Sequence, residues 1–184
     1  MRIISGKAGR IAIKVPSAVA RPTTDFVRQA IFSILGETVF DARVLDLFAG
    51  SGAIGLEALS RGATSCTFVD EHRQAAAVIT ENLTKSRLEG GSVVRSEAAA
   101  FLKRDNTVYD LIFADPPYYK HAGDTDHVRS LLESEYLPHR LKRDGWLIAE
   151  ISANQPTPTG DLWTLADRRE YGGCAILLFS RKSA

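Results

Sequence analysis

Asp115-Pro116-Pro117-Tyr118 puts a carboxylate, a free carbonyl and an aromatic ring on four consecutive residues. The apolar run before it, Tyr109–Ala114, reads as a buried strand. Neither proline has an N–H to give to a ladder, so the chain must leave the sheet here as a rigid turn. Such a turn suits one task, gripping a planar group that carries an NH2. The Asp115 carboxylate and the Pro116 carbonyl can accept its two hydrogens while Tyr118 stacks on its face.

A second cluster lies upstream. Gly50, Gly52 and Gly55 match G-x-G-x-x-G between an apolar run, Val44–Leu47, and a helical pattern, Leu56–Ser60. The glycines permit a tight turn, close ligand approach and close helix–strand packing. Alone, the pattern does not choose among nicotinamide, flavin and adenosyl cofactors. Asp46 stands before the first glycine, where it would repel a pyrophosphate and attract an ammonium group. A further strand, Ser65–Val69, ends at Asp70, near the roughly 20-residue offset of an acid on ribose hydroxyls.

The elements that must position these residues follow from periodicity. Arg2–Ile4 and Arg10–Val15 flank a glycine turn and predict a small β-hairpin. Thr24 or Asp25 can cap a helix whose apolar face would be Phe26, Val27, Ala30, Ile31, Ile34 and Leu35, ending at Gly36. A strand–helix rhythm follows: Arg43–Leu47 and Ala53–Arg61; Ser65–Val69 and Arg73–Ser86; Ser92–Arg95 and Ala98–Arg104; Tyr109–Ala114 and Asp126–Leu137; then Trp146–Ile151. Repeated right-handed βα units predict a parallel sheet covered on both faces, with ligands at the carboxyl ends of its strands. Asp46, Asp70, Glu97 and Asp115 all fall at that end. The rhythm then breaks at Pro156 and Pro158, and Leu162–Tyr171 with Cys174–Arg181 reads as a hairpin around Gly172-Gly173.

Arg2-Ile-Ile-Ser-Gly6, Gly9-Arg10, Arg21-Pro22-Thr23-Thr24-Asp25, the stretch from Leu45 to Ala63 and the Asp115–Tyr118 turn together resemble the bacterial 16S ribosomal RNA guanine-N2 methyltransferases of the RsmD type. The resemblance runs from Arg2 to about Arg181, and the Arg21–Asp25 segment is its family-specific part. It implies an α/β, Rossmann-like methyltransferase fold: a mostly parallel sheet closed by an antiparallel C-terminal hairpin, one crossover helix lost. Residues 1–36 would form a basic hairpin-and-helix extension and 37–184 the catalytic core of a single domain. The implied cofactor is S-adenosylmethionine. Asp46 with Gly50, Ser51 and Gly52 would hold its methionine end, Asp70 its ribose and Glu97 its adenine amine, with Phe48, Ala49 and Ala98 also in the cofactor site. Thr23 and Thr24 would lie against it. Glu97 stands where the family commonly has Asp or Asn, and His72 where it commonly has an acid. The turn, Asp115, Pro116, Pro117 and Tyr118, would be catalytic.

Charge adds the partner. The net charge is +1 over 184 residues, yet residues 1–28 hold six basic side chains against the single acid Asp25. A basic arm on a mildly acidic body suggests a polyanion approached from one side, with salt-sensitive binding. Arg2, Lys7, Arg10, Lys14 and Arg21 are the candidate RNA contacts, and Lys120 could touch a further phosphate. The partner would be small-subunit ribosomal RNA or its assembly particle.

The 45% apolar composition suits one globular domain. No apolar run approaches a membrane span, and the N-terminus lacks a signal-peptide core. Cys66 and Cys174 sit in apolar runs and read as core residues; no metal site is expected. A cytoplasmic monomer is the expectation. The same turn would serve adenine N6 in DNA or RNA, which stays open beside guanine N2. A noncatalytic RNA-binding factor and a nicotinamide oxidoreductase are the readings from other classes.

Overall fold

The computed structural model describes residues 1–17, 23–118 and 124–182. Arg21, Lys120 and His121 lie outside them. Seven strands form one sheet: β1 (Arg43–Leu47), β2 (Ser65–Asp70), β3 (Gly91–Arg95), β4 (Tyr109–Ala114), β5 (Leu141–Ser152), β6 (Trp163–Tyr171) and β7 (Cys174–Arg181). Their order is β3-β2-β1-β4-β5-β7-β6. The first five run parallel, while β7 is antiparallel to both β5 and β6. Strand order reverses at β1, which leaves a crevice between the carboxyl ends of β1 and β4, where open α/β sheets bind ligands.

Side chains alternate across the sheet. Val44, Leu111, Phe113, Ile148 and Ile176 pack in one buried cluster, and Leu45, Leu47, Ile112, Leu147 and Leu177 in another. The first face carries α1 (Asp25–Leu35), α2 (Ala53–Ser60) and α3 (Arg73–Ser86); the second carries α4 (Ala98–Arg104), α5 (His127–Leu132) and α6 (Leu137–Arg140). Coverage on both faces explains why these strands read as continuous apolar runs.

Three expectations need correcting. The α1 face is rotated: Phe26 is 68% exposed, whereas Arg28 and Phe32 are buried. Arg28 is buried because its guanidinium donates to the Arg2 carbonyl at 2.7 Å and to Asp25 at 2.6 Å. The single helix over Asp126–Leu137 is two helices. Ser134 Oγ accepts from Tyr136 N and Leu137 N, and Pro138 sits at the start of α6, where its missing N–H costs nothing. The N-terminal hairpin is held by one isolated bridge, Arg2 to Ala12, and loop hydrogen bonds rather than by regular strands.

That N-terminal segment is docked, not free. Glu57 on α2, fully buried, accepts from Ile4 N at 2.6 Å and Ser5 N at 3.1 Å. Ser60 accepts from Ala8 N, and Asn82 on α3 bonds both the N–H and the carbonyl of Lys14. Gly6 allows this approach, since a Cβ there would overlap the Ser60 carbonyl.

Candidate active site

A cavity of about 460 Å3 opens at the carboxyl ends of β1, β2 and β4. Its size is that of a site for a nucleoside-sized ligand. The glycine loop leaves β1 through Phe48, Gly50 and Gly52, all at positive φ. Phe48, Ala49, Gly50 and Ser51 line the cavity.

Gly52 does not line it. Its φ of 77° suits glycine, and a Cβ there would press on Ile79 and Phe68 in the core, away from the ligand space. A Cβ on Gly55 would overlap Phe68 and Cys66, so this glycine serves close helix–strand packing. Thr24 is also outside the cavity; its Oγ1 accepts from Val27 N and caps α1. Thr23 does line the cavity, and its hydroxyl donates to Asp115.

Six acids line the space: Asp46, Asp70, Glu71, Glu97, Asp115 and Glu150. Asp46 is 1% exposed and accepts from Gly55 N at 2.9 Å. It forms no ion pair among the described residues. Burial pushes its carboxyl up to about 7, with the Asp70 charge adding to the rise. Such a carboxyl fits an ammonium ligand, which would restore its charged form. Asp70, at the end of β2, accepts from Gly50 N through one oxygen and from His72 N through the other, both at 2.9 Å. The loop thereby fixes a carboxylate at the cavity wall with lone pairs left for hydroxyl donors. Glu97 lines the cavity beside Ala98, but its two oxygens accept from Ala99 N and Ala100 N at the start of α4. Its length is thus used as a helix cap, and its charge suits a helix N-terminus.

Asp115, Pro116, Pro117 and Tyr118 also line the cavity, at the end of β4. Burial raises the Asp115 carboxyl above the usual range, and the charge of Glu150 raises it further. The Thr23 hydroxyl works the other way. The Tyr118 hydroxyl donates to Glu150, and burial, with Glu150, holds that phenol well above its ordinary value. Burial and the acids together push the Cys174 thiol up to about 11.

Met1, Pro16, His127 and Glu150 also line the cavity, and no sequence motif marks them. Glu150 carries the same signal as Asp46, Asp70 and Asp115, an acid near a strand's carboxyl end. That signal is hidden because β5 continues past it to Ser152 in antiparallel pairing with β7. The ring of His127 packs edge-on to Phe48 at 5.3 Å, a contact no local pattern announces.

Among the candidate RNA-binding side chains, Arg2 pairs with Asp25 at 3.4 Å and Lys14 with Glu81. Lys7 and Arg10 are exposed and form no ion pair among the described residues.

A family model described as Conserved hypothetical protein 95 matches residues 1–180. Ribosomal RNA small subunit methyltransferase D of Escherichia coli strain K12 is 34% identical, over 100% of this chain and 91% of that one. The protein of the same name from Haemophilus influenzae is 31% identical, over 97% and 93% of the two chains. A solved structure titled "Putative methyltransferase yhhF from Escherichia coli" superposes with a TM-score of 0.84 at 34% identity, covering 100% of this chain and 99% of the other. Fold, cavity and full-length likeness agree, and the chain belongs to the RsmD-type family of small-subunit ribosomal RNA methyltransferases.

Proposed function

We propose that the protein methylates the exocyclic N2 amine of a guanine in small-subunit ribosomal RNA, with S-adenosylmethionine as donor. The observation that carries this reading is the pairing, across one cavity, of the Asp115–Tyr118 turn with the acid-lined glycine loop. The names of the full-length relatives support the RNA substrate. The cofactor supplies a methyl group on a sulfonium. Asp46 holds the ammonium group and Asp70 the ribose hydroxyls. Ala98 packs on the adenine, with Thr23 closing the site through Asp115.

A guanine amine is a weak nucleophile because its lone pair is delocalised into the ring. Asp115 and the Pro116 carbonyl accept its two N–H bonds and turn that lone pair toward the methyl group. Positioning and electrostatics then supply most of the rate. The chain acts as a single domain and a monomer in the cytoplasm, on naked RNA or an assembling particle, with Lys7 and Arg10 on phosphate.

Mass analysis of nucleosides after incubation of ribosomal RNA with labelled cofactor tests the reading. N2-methylguanosine is the expected product. N6-methyladenosine would move the protein to the adenine alternative, and no methylation of any RNA form would leave the noncatalytic one.

A further inference from the structure

Glu150 lines the cavity beside Asp115. Ala149 on β5 is the register partner of Ala114 on β4. The next residues on these parallel strands are Glu150 and Asp115. They follow Ile148 and Phe113, which share a buried cluster, so both carboxyls fall on the α1–α3 face of neighbouring strands about 4.8 Å apart. Each has its own hydroxyl donor from a different segment: Thr23 donates to Asp115, and Tyr118 donates to Glu150. The other titratable groups facing Asp115 are Asp46 on β1 and Cys174 on β7.

We propose that Glu150 is a positioning residue of the acceptor site, anchoring the Tyr118 ring by its phenol and keeping a negative charge beside Asp115. This rests on the methyl-transfer reading. In the step it serves, the N–C bond forms as the methyl–sulfur bond breaks. The methylated amine then loses a proton, the N–H pair stays on nitrogen, and the proton passes to an Asp115 oxygen. A charge beside Asp115 makes that oxygen a better proton acceptor. The raised Tyr118 phenol keeps its proton throughout, so it remains a donor and the ring stays fixed.

A purely structural Glu150 would leave the pH dependence of the reaction alone, and this separates the two roles. Glu150→Gln keeps the size of the side chain and an oxygen for Tyr118 but removes the charge. Single-turnover methylation is followed against pH at saturating RNA and cofactor, where the cofactor's ammonium holds Asp46 ionised. The acidic limb of the profile should move down by about one pH unit or more in Glu150→Gln. Tyr118→Phe should slow the reaction and leave the limb in place. Glu150→Asp, which keeps the charge but draws back from Tyr118, should behave like Tyr118→Phe and keeps the test open should Glu150→Gln fold poorly. An unmoved limb in Glu150→Gln, or a limb shifted in Glu150→Asp as far as charge removal would shift it, overturns the proposal. The wild-type product is identified in the same experiment. An adenine product would defeat the guanine assignment while the limb shift could still stand, because both amines lose a proton in the same way.

Discussion

Asp46 is a buried acid whose charged form its surroundings resist, and this makes cofactor affinity depend on pH. Its folded value of about 7 lies above the ordinary 3.8. The folded state therefore carries no penalty from this group below about pH 4. The penalty grows through the interval and is complete above about pH 7, a stability loss with rising pH worth a few kcal/mol at most. An ammonium ligand reverses the balance by favouring the carboxylate. Cofactor should bind more tightly as pH rises from about 5 to about 7 and release a proton on binding. Calorimetry in two buffers of different ionisation enthalpy measures that proton, and Asp46→Asn should abolish it. Asp70→Ala should weaken cofactor binding about ten- to a hundredfold, because it removes a charge-assisted acceptor and also the partner of Gly50 N. Asp115→Ala should act on turnover more than on cofactor affinity. Losing a bond that strengthens in the transition state costs about 3 kcal/mol, roughly a hundredfold in single-turnover rate. Full activity in that variant would defeat the amine-orienting role.

Elements were legible in the sequence to the extent that local pattern decides them. Both-face burial produced the apolar strand runs, and α1 with its Thr24 cap and Gly36 end matches the expected bounds. Features decided by residues far apart in sequence were not legible. Periodicity ranks Phe above Arg and so turns Phe26 inward on α1. The buried Arg28 is held by the Arg2 carbonyl and Asp25, with the buried Glu57 charge adding support. The glycine pattern reserves Gly52 for the cofactor, and instead it makes room for Ile79 and Phe68. Gly52→Val is therefore a stability variant first: positive φ and overpacking together cost about 2–4 kcal/mol. Glu57 gives no signal at all on an otherwise apolar helix, yet it satisfies two backbone N–H groups of the N-terminal segment and Arg61 Nε. Glu57→Ala leaves those donors unmatched and should cost about 3 kcal/mol, seen as a lower denaturant midpoint. Glu57→Gln keeps one acceptor and should cost less.

At the scale of the whole molecule, the docked arm changes where RNA is expected to be held. Met1 and Pro16 line the cavity, whereas the turn of the arm packs at Ser60, the far end of α2. Eight helical residues separate the two ends, about 12 Å. The basic turn thus sits toward the amino ends of the strands, the end away from the reacting amine, a distance that a segment of folded RNA spans easily. Arg2 and Lys14 already have acidic partners, so their charge is largely neutralised within the protein. Among the described candidates, Lys7 and Arg10 remain to meet phosphate. Reversing both, Lys7→Glu with Arg10→Glu, should weaken RNA binding several-fold at moderate salt and lower the salt slope by about 1 for each phosphate left unneutralised. Cofactor affinity should not change, because neither residue lines the cavity. Thermal stability should stay within about 0.5 kcal/mol, as for most exposed charges. Arg2→Glu is the informative contrast. It sets a carboxylate beside Asp25, the partner of buried Arg28, and should lower stability while affecting RNA less than the double reversal does. Filter-binding titrations across a salt series measure both variants. An unchanged slope in the Lys7, Arg10 double variant would place the RNA on another face of the protein.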